Sequence, residues 1–268
     1  MLRGVSQQPA RVESPMRIAR SILVAIPAHN EEKYIDRVLP RVLEHGLPVL
    51  VIDDGSTDST AARTAAWLVE LVRNPRNVGY GRVMQDIFAW SRMREFDWVI
   101  TMDCDEQHEP AFIPAFVEAI ARDDQDVISG SRYLTRHAGD HEAPADRSEI
   151  NRELTAEINR QLGGAFAVPL TDSFCGFKAY RTAALAAMRF DADGYDFPMQ
   201  FWVQAAANRL RVSEIAVPRI YLDASRSFGS GLDDPVRRLQ TYKNTLEREL
   251  VRCAGRLVHL RRSSSATA

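Results

Sequence analysis

Cysteine is scarce in this chain, three residues in 268, and Cys104, Cys175 and Cys253 are too scattered for a disulfide framework or a metal-ligand motif. A reducing compartment is the expectation. Long apolar runs are missing as well. None approaches the roughly 18 residues that would suggest a membrane span, and the first twenty residues lack the continuous apolar core of a signal peptide. Charge of one sign is also absent: 34 basic against 36 acidic residues leave a formal net charge of -2, so no global basic field argues for a nucleic-acid partner. What remains is ordinary for a globular protein, 45% hydrophobic and 26% charged residues. The length suffices for one large α/β domain or two small ones. The chain is expected in the cytoplasm, with contact at the inner face of the membrane left open.

Periodicity supplies the organisation. Short apolar runs at Ser21–Ile26, Val49–Ile52 and Trp98–Met102 read as strands buried on both faces. Shorter strands are expected near Leu71–Arg73, Asp126–Gly130, Cys175–Tyr180 and Val212–Val217. Helical spacing covers Glu31 to Glu44, where Pro40 predicts a kink or an early end. Further helices are expected from Thr57 or Asp58 to Leu68, Tyr80 to Arg94, Pro110 to Ile120, Ser148 to Leu162, Phe197 to Leu210, and Asp234 to Leu260. Alternating strands and helices predict a mostly parallel sheet covered on both faces. Residues 1–20 read as a flexible tail, 21–233 as one domain, and 234–268 as a terminal helix with a frayed end.

Three polar loops follow strands: Pro27-Ala28-His29-Asn30-Glu31-Glu32, Asp53-Asp54-Gly55-Ser56-Thr57-Asp58 and Asp103-Cys104-Asp105-Glu106-Gln107-His108. Ligands of open parallel sheets bind beyond the carboxyl ends of the strands, so all three loops are expected to face one crevice. Each alone also reads as a turn with a helix cap. Asp103 and Asp105 are hard oxygen donors suited to Mg²⁺ or Mn²⁺, and two carboxylates so close repel unless a cation or proton neutralises them.

In this order, and with Gly130-Ser131-Arg132 and Cys175-Gly176-Phe177-Lys178-Ala179-Tyr180-Arg181 downstream, these motifs resemble family-2 glycosyltransferases of the dolichol-phosphate mannosyltransferase-like branch, from about Ile22 to Tyr221. The resemblance implies a single Rossmann-like nucleotide-diphospho-sugar transferase domain with a mostly parallel mixed sheet, and transfer with inversion. It implies that Pro27, Ala28 and Glu31 line a nucleotide pocket, that Asp53 faces the base or ribose, and that Asp103 and Asp105 hold Mg²⁺ or Mn²⁺ with Gln107 close by. Arg132 is implied to face the diphosphate or an acceptor phosphate. The implied partners are a nucleotide-sugar donor, such as GDP-mannose or UDP-glucose, and a polyprenyl-phosphate acceptor.

Two departures bear on the acceptor. Gln200 stands where this branch commonly carries Glu, and an amide is no base near neutral pH. Either Asp172 or Asp196 removes a proton, or the acceptor needs none. A phosphate acceptor needs none, because its second pKa of about 6 leaves it largely ionised. Arg226, in Arg226-Ser227-Phe228-Gly229-Ser230-Gly231-Leu232-Asp233-Asp234, keeps the cation of a segment that in relatives also carries Lys. That segment reads as a lid or as a connector. His29, Cys104 and His108 read as local substitutions, and Trp67, Trp90, Trp98 and Trp202 as core. The terminal helix interleaves Arg237, Arg238, Lys243, Arg248, Arg252 and Arg256 with leucines, which suits an anionic membrane surface or a solvated basic face. The expected function is transfer of a hexose to polyprenyl phosphate. A soluble hydroxyl acceptor and a non-catalytic nucleotide-sugar-binding module are the alternatives.

Overall fold

The computed structural model describes residues 21–222, 231–258 and 260. The expected N-terminal tail, Arg226 and the frayed end lie outside these residues.

Strand β1, Ile22–Ala28, is an interior strand of the sheet and apolar on both faces. Ile22, Val24 and Ile26 pack into one core cluster, and Leu23 and Ala25 into the other. Helices cover both faces. On one side lie α1 (Ile35–Leu43), which continues through Pro40, and α4 (Ile113–Ala121), entered through a 3₁₀ turn at Pro110–Phe112. On the other lie α3 (Tyr80–Met93), α5 (Ala145–Gln161), α6 (Phe197–Ala207) and α7 (Pro235–Cys253). The short helix α2, Thr60–Thr64, ends well before Leu68.

The remaining strands are β2 (Val49–Asp53), β3 (Glu70–Arg73), β4 (Trp98–Thr101), β5 (Val127–Ser131), β6 (Lys178–Arg181) and β7 (Val212–Ala216). They form a seven-stranded sheet in the order β3-β2-β1-β4-β6-β5-β7. β6 alone runs against its neighbours β4 and β5; the other pairings are parallel. The carboxyl ends of β1, β2, β4 and β5 therefore open on the same edge, where a mostly parallel sheet binds its ligands.

The terminal helix is part of this body. It buries Tyr242, Thr245, Leu246 and Cys253 against the domain. Arg238 pairs with Asp146, Lys243 with Glu153, Arg248 and Arg252 with Asp191, and Arg256 donates to Asn208. The helix thus packs on the domain, with Arg238 buried and Lys243, Arg248 and Arg252 partly exposed. Among the described residues, no helix is long and apolar enough to cross a membrane. Trp98 and Trp202 are buried and Trp67 and Trp90 pack against the core, as their apolar surroundings imply.

Candidate active site

A cavity of about 1090 Å³ lies beyond the carboxyl edge of the sheet. The first two polar loops are stitched into one wall. Asn30 donates its backbone N–H to Ser56 Oγ and accepts the Thr57 N–H on Oδ1, each at 2.9 Å, while the Glu31 N–H reaches Thr60 Oγ1 at 2.7 Å. This presents Pro27, Ala28 and Glu31 to the cavity.

Asp53 is placed differently. As the last residue of β2 it is fully buried. Its Oδ1 accepts the Ser56 N–H at 3.1 Å, and its Oδ2 lies 2.9 Å from Arg73 Nε. The cavity-facing residue of this pair is Asp54. Its Oδ1 accepts from Asn74 Nδ2 and the Val78 N–H, and its Oδ2 from the Gly79 N–H, all at 2.9 Å. Asp54 therefore fixes the turn into α3.

Asp103, Asp105 and Gln107 all line the cavity beyond β4. The loop is held from within: Asp105 Oδ1 accepts the Gln107 N–H at 3.0 Å, and the Asp103 N–H donates to His108 Nδ1 at 2.8 Å. Because Nδ1 accepts, the imidazole is neutral with its proton on Nε2, which faces Cys175 Sγ at 3.9 Å. Burial lowers the His108 pKa to about 4 against the opposing pull of Asp105. The ring also stacks on Phe177. His108 is thus a brace for the acidic loop. Burial likewise pushes the Cys175 thiol up to about 11, so it is inert at neutral pH. Gly176 leaves room for the Asp103 carboxylate; a Cβ there would sit 3.0 Å from Oδ2.

Arg132 enters from the end of β5 and lines the cavity. Asp172 lies behind it, fully buried. Arg132 Nε donates to Oδ2 at 2.7 Å and Nη2 to Oδ1 at 3.0 Å, a bidentate pair, while Nη1 reaches the Tyr221 hydroxyl at 3.1 Å. Oδ1 also accepts from Asn151 Nδ2 and from the N–H groups of Phe174 and Cys175. Burial alone would raise the Asp172 pKa, but the charge and hydrogen bonds of Arg132 outweigh it and hold the carboxyl far below its usual range. Such a group is a poor base, and it does not line the cavity. Asp196 sits at the start of α6, where its Oδ2 accepts from Thr245 Oγ1 at 2.6 Å; its neighbours Tyr195 and Pro198 line the cavity.

Among the lining residues that the sequence motifs did not single out are Tyr80 on α3, Arg147 on α5, Tyr195, Tyr221 after β7, and Arg238 and Tyr242 on α7. The two from α7 carried no motif signal, since only the docking of the terminal helix brings them here. Among the described residues, no group of three or more His, Cys, Asp or Glu side chains could by itself hold a metal ion. The loop beyond β4 offers two carboxylates, Asp103 and Asp105, which would leave other coordination positions to water and phosphate. That donor set suits Mg²⁺ or Mn²⁺ shared with a diphosphate.

The geometry has counterparts among known proteins. A family model described as Glycosyl transferase family 2 matches residues 23–189. An undecaprenyl-phosphate mannosyltransferase of Micrococcus luteus is 30% identical over 78% of this chain and 88% of its own length. A UDP-N-acetylglucosamine–dolichyl-phosphate N-acetylglucosaminyltransferase of Methanococcus voltae is 25% identical, over 79% and 90%. Among solved structures, glucosyl-3-phosphoglycerate synthase of Mycobacterium tuberculosis, in complex with Mn²⁺, UDP-glucose and phosphoglyceric acid, superposes with a TM-score of 0.65 at 22% identity, covering 88% of this chain and 80% of the other. That likeness establishes the shared fold.

Proposed function

The chain belongs to glycosyl transferase family 2, in its dolichol-phosphate mannosyltransferase-like branch, and from that premise we propose that it moves a hexose from a nucleotide-diphosphate sugar to a polyprenyl phosphate with inversion. The observation that carries this reading is the cavity itself, whose lining brings together Asp103, Asp105 and Arg132 beyond the carboxyl edge of the sheet.

In this reading, Pro27, Ala28 and Glu31 flank the nucleotide, while Asp53, paired with Arg73, supports the end of β2 behind them. Asp103 and Asp105 are assigned to hold Mg²⁺ or Mn²⁺, with Gln107 beside them. A bound cation would supply Lewis acidity toward the departing nucleoside diphosphate. Arg132, with Arg147 and Arg238 on the same cavity lining, orients the acceptor phosphate. An oxygen of that phosphate attacks the anomeric carbon as the bond to the diphosphate breaks. With a second pKa of about 6, the phosphate is already ionised and no base is needed. Asp172 is assigned the positioning of Arg132 rather than proton removal, and Asp196 the start of α6. A lipid acceptor implies a peripheral contact with the membrane surface. The mannosyl and N-acetylglucosaminyl transferases described above, both named for lipid-phosphate acceptors, support this choice.

The test is incubation of the protein and Mg²⁺ or Mn²⁺ with a panel of nucleotide-sugars, with polyprenyl phosphate or with soluble hydroxyl acceptors. Glycolipid formation from at least one donor is expected. Product only with a soluble acceptor would overturn the acceptor, and the absence of both transfer and donor hydrolysis would favour a non-catalytic binding module.

A further inference from the structure

Gln200 does not line the cavity; its amide enters a polar cluster, buried at Gln200, Gln204 and Glu249 and half-exposed at Asp191, that joins the terminal helix to the cavity wall. Gln200 Nε2 donates to Glu249 Oε2 at 2.9 Å and to Asp191 Oδ1 at 2.7 Å. Its Oε1 accepts the N–H groups of Asp191 and Ala192 at 2.9 and 3.0 Å. The other oxygen of Glu249 accepts from Gln204 Nε2 at 2.9 Å, and Gln204 Oε1 takes the Arg189 N–H at 2.8 Å. Gln200 and Glu249 both have no exposed surface. One carboxylate of α7 thus faces two amides of α6, and the Gln200 amide pins the backbone at residues 191 and 192.

That backbone is in turn keyed to the start of α3. The Arg82 N–H donates to the Asp193 carbonyl. A Cβ on Gly79 would lie 2.3 Å from the Asp193 oxygen, and one on Gly81 would lie 2.1 Å from the Ala192 oxygen. Only glycine permits so close an approach, and Gly79 is the residue whose N–H Asp54 holds. Immediately beyond the pinned segment, Tyr195 stacks on Tyr80 with ring centroids 5.6 Å apart and planes 11° from parallel. Both tyrosines line the cavity that contains Asp103 and Asp105.

We propose that Gln200 and Glu249 form a buried latch through which the terminal helix sets the 191–195 segment and its Tyr195–Tyr80 stack against the substrate cavity, making both positioning residues. At residue 200 an amide donates to two carboxylates, Glu249 and Asp191, and Arg252 pairs with both of them at 3.4 and 2.5 Å. A carboxylate at 200 would repel both, and the buried Glu249 most strongly. The activity part of the inference rests on the glycosyltransferase reading; the structural part stands without it.

The test compares Gln200→Glu, Glu249→Gln and the exchanged pair Gln200→Glu/Glu249→Gln in the full chain. Gln200→Glu is expected to lower the Tm by at least about 5 °C and to speed amide exchange at residues 191–195 and 78–82 about tenfold or more. The exchanged pair, which again sets one amide, now at 249, against one carboxylate but leaves that carboxylate at 200 beside Asp191, recovers part of both. With whichever donor turns over, Gln200→Glu loses at least about tenfold in kcat while Mn²⁺-dependent UDP or GDP affinity stays within about threefold, and the exchanged pair regains part of the lost kcat. If Gln200→Glu does not fold, rescue of folding by the exchange supports the latch and a failure to rescue overturns it. Exchange rates unchanged by Gln200→Glu, an exchanged pair no better than the single variant, a kcat untouched by the loosened segment, or a gain in turnover with Glu at 200 would each overturn the latch. A wild-type protein that turns over no donor counts against the proposed function, while melting and amide exchange still decide the latch.

Discussion

Asp172 grips Arg132 from behind through two parallel contacts, Nε–Oδ2 at 2.7 Å and Nη2–Oδ1 at 3.0 Å, so the guanidinium reaches the cavity with its orientation fixed. The pair is buried on the Asp172 side and nearly so on the other. Removing the carboxylate charge leaves a buried cation uncompensated, at a cost of about 3–5 kcal/mol. Asp172→Asn is therefore expected to lower stability by about that amount in urea unfolding. It is also expected to lower kcat for lipid-phosphate transfer more than it lowers donor hydrolysis. A base at Asp172 would instead show a pH profile shifted by the substitution at full stability.

Gly176→Ala probes the room reserved for the acidic loop. The added methyl meets Asp103 Oδ2 at 3.0 Å and His108 Cε1 at 3.2 Å. The carboxylate must swing away while the sheet stays intact. Mn²⁺ affinity measured by calorimetry in the presence of UDP or GDP is expected to weaken about tenfold, with a circular dichroism spectrum like that of the wild type.

His108 gives a pH dependence whose sign follows from its lowered pKa. In the unfolded chain the ring takes up a proton near pH 6.5, and in the fold only near pH 4. Between these values the unfolded state binds more protons. The contribution is therefore full above pH 6.5 and is lost as the pH falls through about 4, a change of about 3 kcal/mol. Melting temperature in EDTA should fall across this window. His108→Asn, whose Oδ1 can accept the Asp103 N–H, should flatten that part of the slope.

Local pattern made the first half of the molecule legible. Strand β1 is apolar on both faces because both faces are covered, and the three polar loops share one edge because parallel strands end together. What escaped the sequence depends on long-range placement. Asp53 and Asp54 are adjacent and alike, and only the end of β2 decides that Asp53 turns to Arg73 while Asp54 faces the cavity. The reversed direction of β6 has no counterpart in its composition. Gln200 reads as a missing acid until Glu249 arrives from 49 residues downstream to meet it. Arg238 reads as one cation of a basic face, yet it is buried against Asp146 at the cavity.

In the proposed reaction, Asp103 and Asp105 would hold a cation that supplies Lewis acidity toward the leaving diphosphate. Calorimetric binding of UDP and GDP, with Mn²⁺ and with EDTA, to the wild type and to Asp103→Asn and Asp105→Asn tests this role most directly. At least one nucleotide should bind the wild type only with Mn²⁺, and each substitution should weaken that binding about a hundredfold while leaving the melting temperature near that of the wild type. Equal affinity in EDTA, or Mn²⁺-dependent binding that survives both substitutions, would contradict it.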